Sequence, residues 1–396
     1  MLGLAGLASS PATDATGMFS PAKTYLQCRG LSLPFALINT VAIGAFRGLL
    51  DTTTPLRVIV LINVVNFILD PILIFGFSGA PGSVLFGTGG AAAATTISEV
   101  LGSIVFIGLL RERGMFERDD AQDDSLVEFS GMKDLLAGGT SQILRTISLQ
   151  FVLVSAAAAA AGFDADAAIH GSALHETAGA EGAGGVFSAS HNILCQVWWT
   201  SLFCLDAIAV AAQGLVASAL NEGSSLSHDD SIEHDGNAPI SSPTASARNI
   251  VRARAICDRC LVYGFAAGCV MMLLILVFRW PIAAFFGHEA SLVTMTANTM
   301  IIVALLQPLN GLVFVGDGIF QGALDFSYLA IAMSLASAVA LLVLGSIKVM
   351  SAPSFSMIWI AITVLQCGRA LGLGWRYFNK KRGPLAIAAH TEVDKS

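Results

Sequence analysis

Apolar residues arrive along this chain in nine long, nearly unbroken runs, at 25–49, 56–78, 88–110, 134–161, 187–220, 252–278, 292–316, 326–349 and 356–378. Each is long enough to cross a bilayer as a helix, which takes about 20 residues. Strands of a membrane barrel would alternate apolar and polar positions over segments of about 10 residues, and these runs do not. A helix also satisfies its backbone hydrogen bonds within its own segment, as hydrocarbon surroundings demand. The pattern predicts an all-α, polytopic membrane protein.

The polar stretches between the runs give a direction. Fifteen Lys and Arg fall on one side of the runs and four on the other, while Arg145 and Arg369 lie within runs. The richer side is read as cytoplasmic, which puts the C-terminus inside and the N-terminus outside. Two stretches are longer than turns. Residues 162–186 are Gly/Ala-rich and acidic, with Asp164, Asp166, His170, His175 and Glu176, and read as a solvated outer loop because their spacing matches no metal-ligand pattern. Residues 221–250 are polar and Ser-rich and read as a disordered inner insertion. The expected domains are a partial N-terminal lobe at 1–115, a linker at 116–133, a C-terminal lobe of six spans at 134–378, and a cytoplasmic tail at 379–396.

One phrase occurs twice. GAFRGLLD (44–51) and GIFQGALD (318–325) share five of eight positions, each ends an apolar run, and each has a proline 17 residues before its Asp, Pro34 and Pro308. Six spans separate the copies, an even number, so both point the same way through the membrane. That is a parallel repeat, in which two lobes are related by an axis along the membrane normal, an architecture of secondary transporters.

Composition strengthens the membrane reading and removes rivals. The chain is 55% hydrophobic and 12% charged, and its mean hydropathy is +0.72; soluble domains carry about 25% charged residues. No basic stripe suggests nucleic acid. The seven cysteines, an odd number, lie mostly in apolar runs and read as small hydrophobes. Cys257 and Cys260 form a C-x-x-C without the two further ligands a zinc site needs. Gly87-Thr-Gly-Gly90 follows no strand, and no HExxH, GxSxG or P-loop is present, so neither ATP coupling nor enzymatic chemistry is expected.

Polar side chains at membrane depth are costly and mark function by default. In the second run, Asn63, Asn66 and Asp70 recur at i, i+3 and i+7, on one helix face. Two amides and a carboxylate suit Na⁺ or a proton, and Pro71 beside them can bend the helix. Shifted by the repeat length, Asn66 and Asp70 fall on Ala340 and Leu344, so this group is not duplicated. Asp317, with Asn310 and Gln307, is a second candidate, for substrate or proton coupling. Asp206 and Gln213, seven apart on one face of the fifth run, either line the same cavity or tie helices together. Glu99 sits mid-membrane, with Arg145 as candidate partner in an interhelical ion pair, and His191 reads as structural.

The run from Thr24 to Gly76 (TYLQCRGLSLPFALINTVAIGAFRGLLDTTTPLRVIVLINVVNFILDPILIFG) resembles the fourth and fifth helices of the multidrug and toxic compound extrusion (MATE) family, nearest its DinF-like branch. The stretch SASHNILCQVWWTSLFCLDAIAVAAQGLVASAL resembles the eighth helix, and PLNGLVFVGDGIFQGALDFSYLAIAM the tenth and eleventh. The resemblance covers about residues 20–378. It implies a two-lobe bundle of twelve helices, of which about nine are present here, the chain starting near the end of the third. It implies an antiporter exporting small organic compounds in exchange for H⁺ or Na⁺, with no further cofactor. A cation site at Asn63, Asn66 and Asp70 and an important carboxylate at Asp317 follow from the same resemblance. Two other readings stay open: a lipid-linked glycan flippase of the same superfamily, which calls for a more cationic cavity, and a transport-incompetent membrane protein whose partner supplies the missing helices.

Overall fold

The structure is a computed structural model, and it describes residues 19–49, 51, 53–76, 87–115, 129–170, 185–229, 243–347 and 354–379. Among these there are ten helices and no strand: α1 Phe19–Gly48, α2 Thr53–Phe75, α3 Gly87–Glu112, α4 Phe129–His170, α5 Val186–Asp229, α6 Pro243–Phe286, α7 Ala290–Leu305, α8 Gln307–Gly322, α9 Phe326–Ile347 and α10 Ser356–Phe378. Eight of them are long and apolar enough to cross a membrane, and α7 and α8, bent by 48° at the break between them, pass the same test as a pair. Large apolar side chains such as Phe67, Phe285 and Leu342 stand exposed on these helices. In water such surface would aggregate; in a bilayer it meets hydrocarbon. The chain is an integral, multi-pass membrane protein.

Contacts divide the chain into two compact units, Met1–Asp124 and Ser125–Ser396. In the first, α3 packs against both α1 and α2. Small residues on α3, among them Ala92, Ala94 and Gly102, let the helices close up, and Phe46 and Phe106 fill the core beneath. In the second, α8 lies against α5 and α6 and is buried on nearly every side. Its glycines set the spacing. A Cβ on Gly311 would collide with the Gly264 carbonyl of α6, and one on Gly318 with the Ala209 carbonyl of α5. Helix α9 packs on α4 and α10, around a core that includes Trp198 and Trp359.

The break between α7 and α8 has a local cause. Pro308 has no N–H and its ring crowds the preceding turn. The Gln307 side chain fills in, its Nε2 donating to Val303 O at 3.0 Å. Pro34, the matching proline of the repeat, sits inside an unbroken α1. The prediction of one continuous span at 292–316 is corrected accordingly. Pro71 likewise leaves α2 a single helix to Phe75.

Both copies of the repeat close in the same way. The Asp51 N–H donates to Phe46 O at 3.0 Å, and the Asp325 N–H to Phe320 O at 2.9 Å, a wrapped helix end. In the second copy Leu324 takes the left-handed conformation this turn needs, with φ +58°. Asp51 accepts from Thr53 and Thr54 N–H, at 3.1 and 3.0 Å, and so caps α2. Each Asp then holds an arginine two helices on: Arg113 Nη2 lies 2.7 Å from Asp51, and Arg376 Nη2 lies 2.8 Å from Asp325.

The two long polar stretches are more helical than their composition suggests. Helix α4 runs to His170, and residues 171–184, with His175 and Glu176, lie outside the described residues. Asp164 is no metal ligand in waiting: it accepts from the N–H groups of Phe187 and Ser188, both at 2.9 Å, and so caps α5. The expected disordered insertion at 221–250 is corrected at both ends. Helix α5 continues to Asp229 and α6 begins at Pro243, while 230–242 lie outside the described residues.

Candidate functional site

Each unit carries polar groups at membrane depth, and the two sets differ in sign. In the first, Asp70 and Asn66 lie one turn apart on α2 and face Thr95 of α3. The Asn66 amide reaches Asp70 Oδ2 at 3.2 Å and Thr95 Oγ1 at 3.3 Å. Sequence periodicity placed Asn63 with them, and here the structure departs from it. Asn63 is exposed and its Nδ2 turns back to Ile59 O at 2.8 Å, bonding its own helix. Thr95, which the sequence reading did not single out, takes the third place.

A second polar layer lies further along α3. Glu99 pairs with Arg29 of α1 at 2.9 Å, and Arg29 also donates to Ser32 Oγ at 3.1 Å. The expected Glu99–Arg145 pair is therefore corrected: the partner of Glu99 comes from its own unit. Asn39 ties the same layer to α1, donating to Glu99 O at 3.0 Å.

In the second unit Asp317 is buried on α8 with two arginines on one oxygen. Arg145 of α4 and Arg369 of α10 both donate to its Oδ2. The network continues through Arg369 Nη1 to Gln366 Oε1 at 2.6 Å, Gln366 Nε2 to Asn310 Oδ1 at 2.8 Å, and Asn310 Nδ2 to Gln307 Oε1 at 3.3 Å. Three of the five residues expected here, Asp317, Asn310 and Gln307, thus belong to one chain of hydrogen bonds. The other two do not join it. Asp206 is exposed on α5, and Gln213 is half-buried where its backbone packs against Gly322 of α8. Residues that the sequence reading left out of the site, Arg145, Arg369 and Gln366, complete it. Two guanidinium groups and one carboxylate leave a formal charge of +1. Arg369 is buried and lies over the Phe314 ring at 5.2 Å. Arg145 is the more accessible of the pair, and among the described residues its buried Nε has no hydrogen-bond partner. His191, buried beside Cys195 Sγ at 3.5 Å and the Trp359 ring at 5.7 Å, packs within the core.

Comparison with known proteins places the chain. The family model MatE matches residues 5–72 and 236–347. Protein DETOXIFICATION 44, chloroplastic, of Arabidopsis thaliana is 27% identical over 366 residues, which is 92% of this chain and 58% of that protein. Protein DETOXIFICATION 43 of the same plant is 28% identical over 354 residues, 89% of this chain and 56% of that one. The chain resembles the MATE family. It spans less than two thirds of the length of these relatives. Among solved structures, a MOP superfamily transporter from Pyrococcus furiosus superposes with a TM-score of 0.68 at 17% identity, covering 93% of this chain and 70% of that one. An outward-facing multidrug resistance MATE family transporter gives 0.64 at 18%, with the same coverage. At such identities the likeness is one of fold, the two-lobe helical fold of MATE proteins.

Proposed function

We propose that this chain forms the working part of a secondary active antiporter, which exports an organic anion in exchange for H⁺ or Na⁺. The observation that supports it is the opposite sign of the two intramembrane sites. Asp70, held by the Asn66 amide beside the Thr95 hydroxyl, offers a carboxylate and a negative charge, the chemistry of a coupling-cation site. The Arg145–Asp317–Arg369 group has one positive charge more than its own carboxylate neutralises. A surplus charge at membrane depth costs about 2.5–3.5 kcal/mol on insertion scales, and a carboxylate or similar anion on Arg145 would offset it through charge-assisted hydrogen bonds.

Antiport then follows from two conformations that prefer different ligands. A cation at Asp70 favours one and an anion at Arg145 the other, each by its differential affinity for the two states. Protein in vesicles, loaded with an organic anion and given an inward cation gradient, tests the reading. Asp70→Asn should abolish gradient-driven efflux with the protein still present in the membrane. Efflux that continues at the wild-type rate removes Asp70 from the mechanism, and export of organic cations in place of anions removes the assigned substrate charge.

A further inference from the structure

The second unit contains a cavity that the sites above do not use. It lies between α6 and α10 with α8 as its floor, has a volume of about 260 Å³, and is walled by Leu261, Leu312, Ile319, Phe320, Gly374 and Tyr377 among others. An apolar cavity of ~150 Å³ already accepts a benzene-sized ligand, so this one has room for a longer hydrocarbon segment. Its walls belong to membrane-crossing helices. Among the described residues that line it, the one polar side-chain group is the Tyr377 hydroxyl, which donates to Asp258 Oδ1 at 2.6 Å. An organic ion therefore finds no partner inside.

A cation stands beside this lining. Arg254 of α6 lies over the Tyr377 ring at 5.1 Å and donates to Tyr377 O at 3.2 Å. Arg254 falls at the end of the helices that the Lys/Arg asymmetry places at the cytoplasmic face, the level of lipid phosphates. A chain that is apolar throughout, entering beside a fixed cation at headgroup depth, has the form of a phospholipid. We infer that this crevice is a lipid site, with one phospholipid acyl chain seated between α6 and α10 and its phosphate on Arg254.

The position gives the lipid a structural consequence. Gly316 and Ala370 line the crevice, and their chain neighbours are Asp317 and Arg369. A seated acyl chain braces α8 against α10 beside that ion pair. The inference rests on the membrane reading and not on transport, so the two fail separately.

Gly374 supplies the test, because a Cβ added there meets nothing within 4 Å. Gly374 lines the crevice, so a side chain added there takes up its space. The whole protein, reconstituted in phosphatidylcholine nanodiscs, is labelled with trace phosphatidylcholine bearing a diazirine on its acyl chain, and the labelled residues are mapped by peptide mass spectrometry. Crevice residues Leu312 and Leu373 should label several-fold more than Leu342, which is 75% exposed on α9. Gly374→Trp, or Gly374→Leu if the larger residue fails to fold, should lower them to the level of Leu342. Arg254→Gln should lower the labelling, Arg254→Lys should retain it, and a diazirine diacylglycerol lacking the phosphate should label the crevice weakly. Crevice labelling no higher than at Leu342 would show only the lipid contact of any membrane-facing surface, and would overturn the proposal. Labelling unchanged by filling at Gly374 would do the same. Equal labelling by diacylglycerol and phosphatidylcholine would overturn the role of Arg254.

Discussion

Removing different members of the Asp317 group leaves different charges behind, and this decides what each substitution does. Without Arg145, a neutral Asp317–Arg369 pair remains. Without the carboxylate, two arginines at membrane depth face each other unpaired. Breaking a buried ion pair by deleting one partner costs about 3–5 kcal/mol, so Asp317→Asn should destabilise the protein by roughly that amount and Arg145→Gln by much less. Thermal unfolding of the two variants in one detergent measures the difference, and equal losses would contradict the formal charge assigned to the site. Leu324 makes a second prediction. It holds φ +58° with an exposed side chain, a conformation that costs a non-glycine residue about 1–2 kcal/mol. Leu324→Gly should raise the unfolding temperature, and Leu324→Ala should not. Asp51 makes a third. The Thr54 N–H, then the Thr54 hydroxyl, then Arg113 and Thr53 hold its carboxyl well below the usual carboxylate range, against a smaller opposing effect of burial. Its folded pKa is depressed, so the stability it adds is complete above the unfolded value near ~3.9 and fades as pH falls below that. Asp51→Asn should remove this acid-side slope from a plot of unfolding temperature against pH and leave neutral pH free of any further pH dependence from this group.

At the level of helices, α8 shows what the sequence could and could not disclose. Its existence was legible, because a long apolar run forces a helix in a bilayer. Its break was half legible: Pro308 was visible, but Pro34 occupies the matching place in α1 without breaking it. At the break, besides the proline itself, Gly268 of α6 lies against the Gln307 carbonyl and the Pro308 Cα. No periodicity encodes that contact. The same holds for the site. Asn66 and Asp70 were legible because one helix face carries both, whereas Asn63 shares the face and spends its amide on its own backbone. Arg145 and Arg369 obeyed the rule that marks membrane-depth charges, yet they sit 172 and 52 residues from Asp317, a separation across which pairing cannot be read from one chain. Helix packing makes its own prediction. Gly311→Ala drives a methyl into the Gly264 carbonyl and should cost at least the 1–3 kcal/mol typical of overpacking, lowering the unfolding temperature. Gly345→Ala, where a methyl meets nothing within 4 Å, should lower it little or raise it, since alanine is the better helix former.

For the molecule as a whole, the duplicated phrase and the unduplicated sites belong to one argument. The repeat keeps what both units need, a wrapped helix end and an Asp–Arg pair tying it to the third helix of the set. The intramembrane polar groups diverge: where the first unit has Asn66 and Asp70, the second has the buried core residues Ala340 and Leu344, and its own polar group sits on α8 with the opposite net charge. Two units alike in frame and opposite in charge are suited to two ligands of opposite sign, and this can be tested without any flux. Equilibrium binding to the whole protein should separate the two ligands. Asp70→Asn should lose Na⁺ or H⁺ binding and retain the organic anion, whereas Arg145→Gln should weaken the anion by about 10-fold or more, the equivalent of at least ~1.4 kcal/mol, and retain the cation. If both substitutions abolish the same ligand, the sites are one site, and the division of labour between the units is wrong. If they separate as stated, the coupling between cation and anion becomes a conformational equilibrium that each ligand shifts from its own unit.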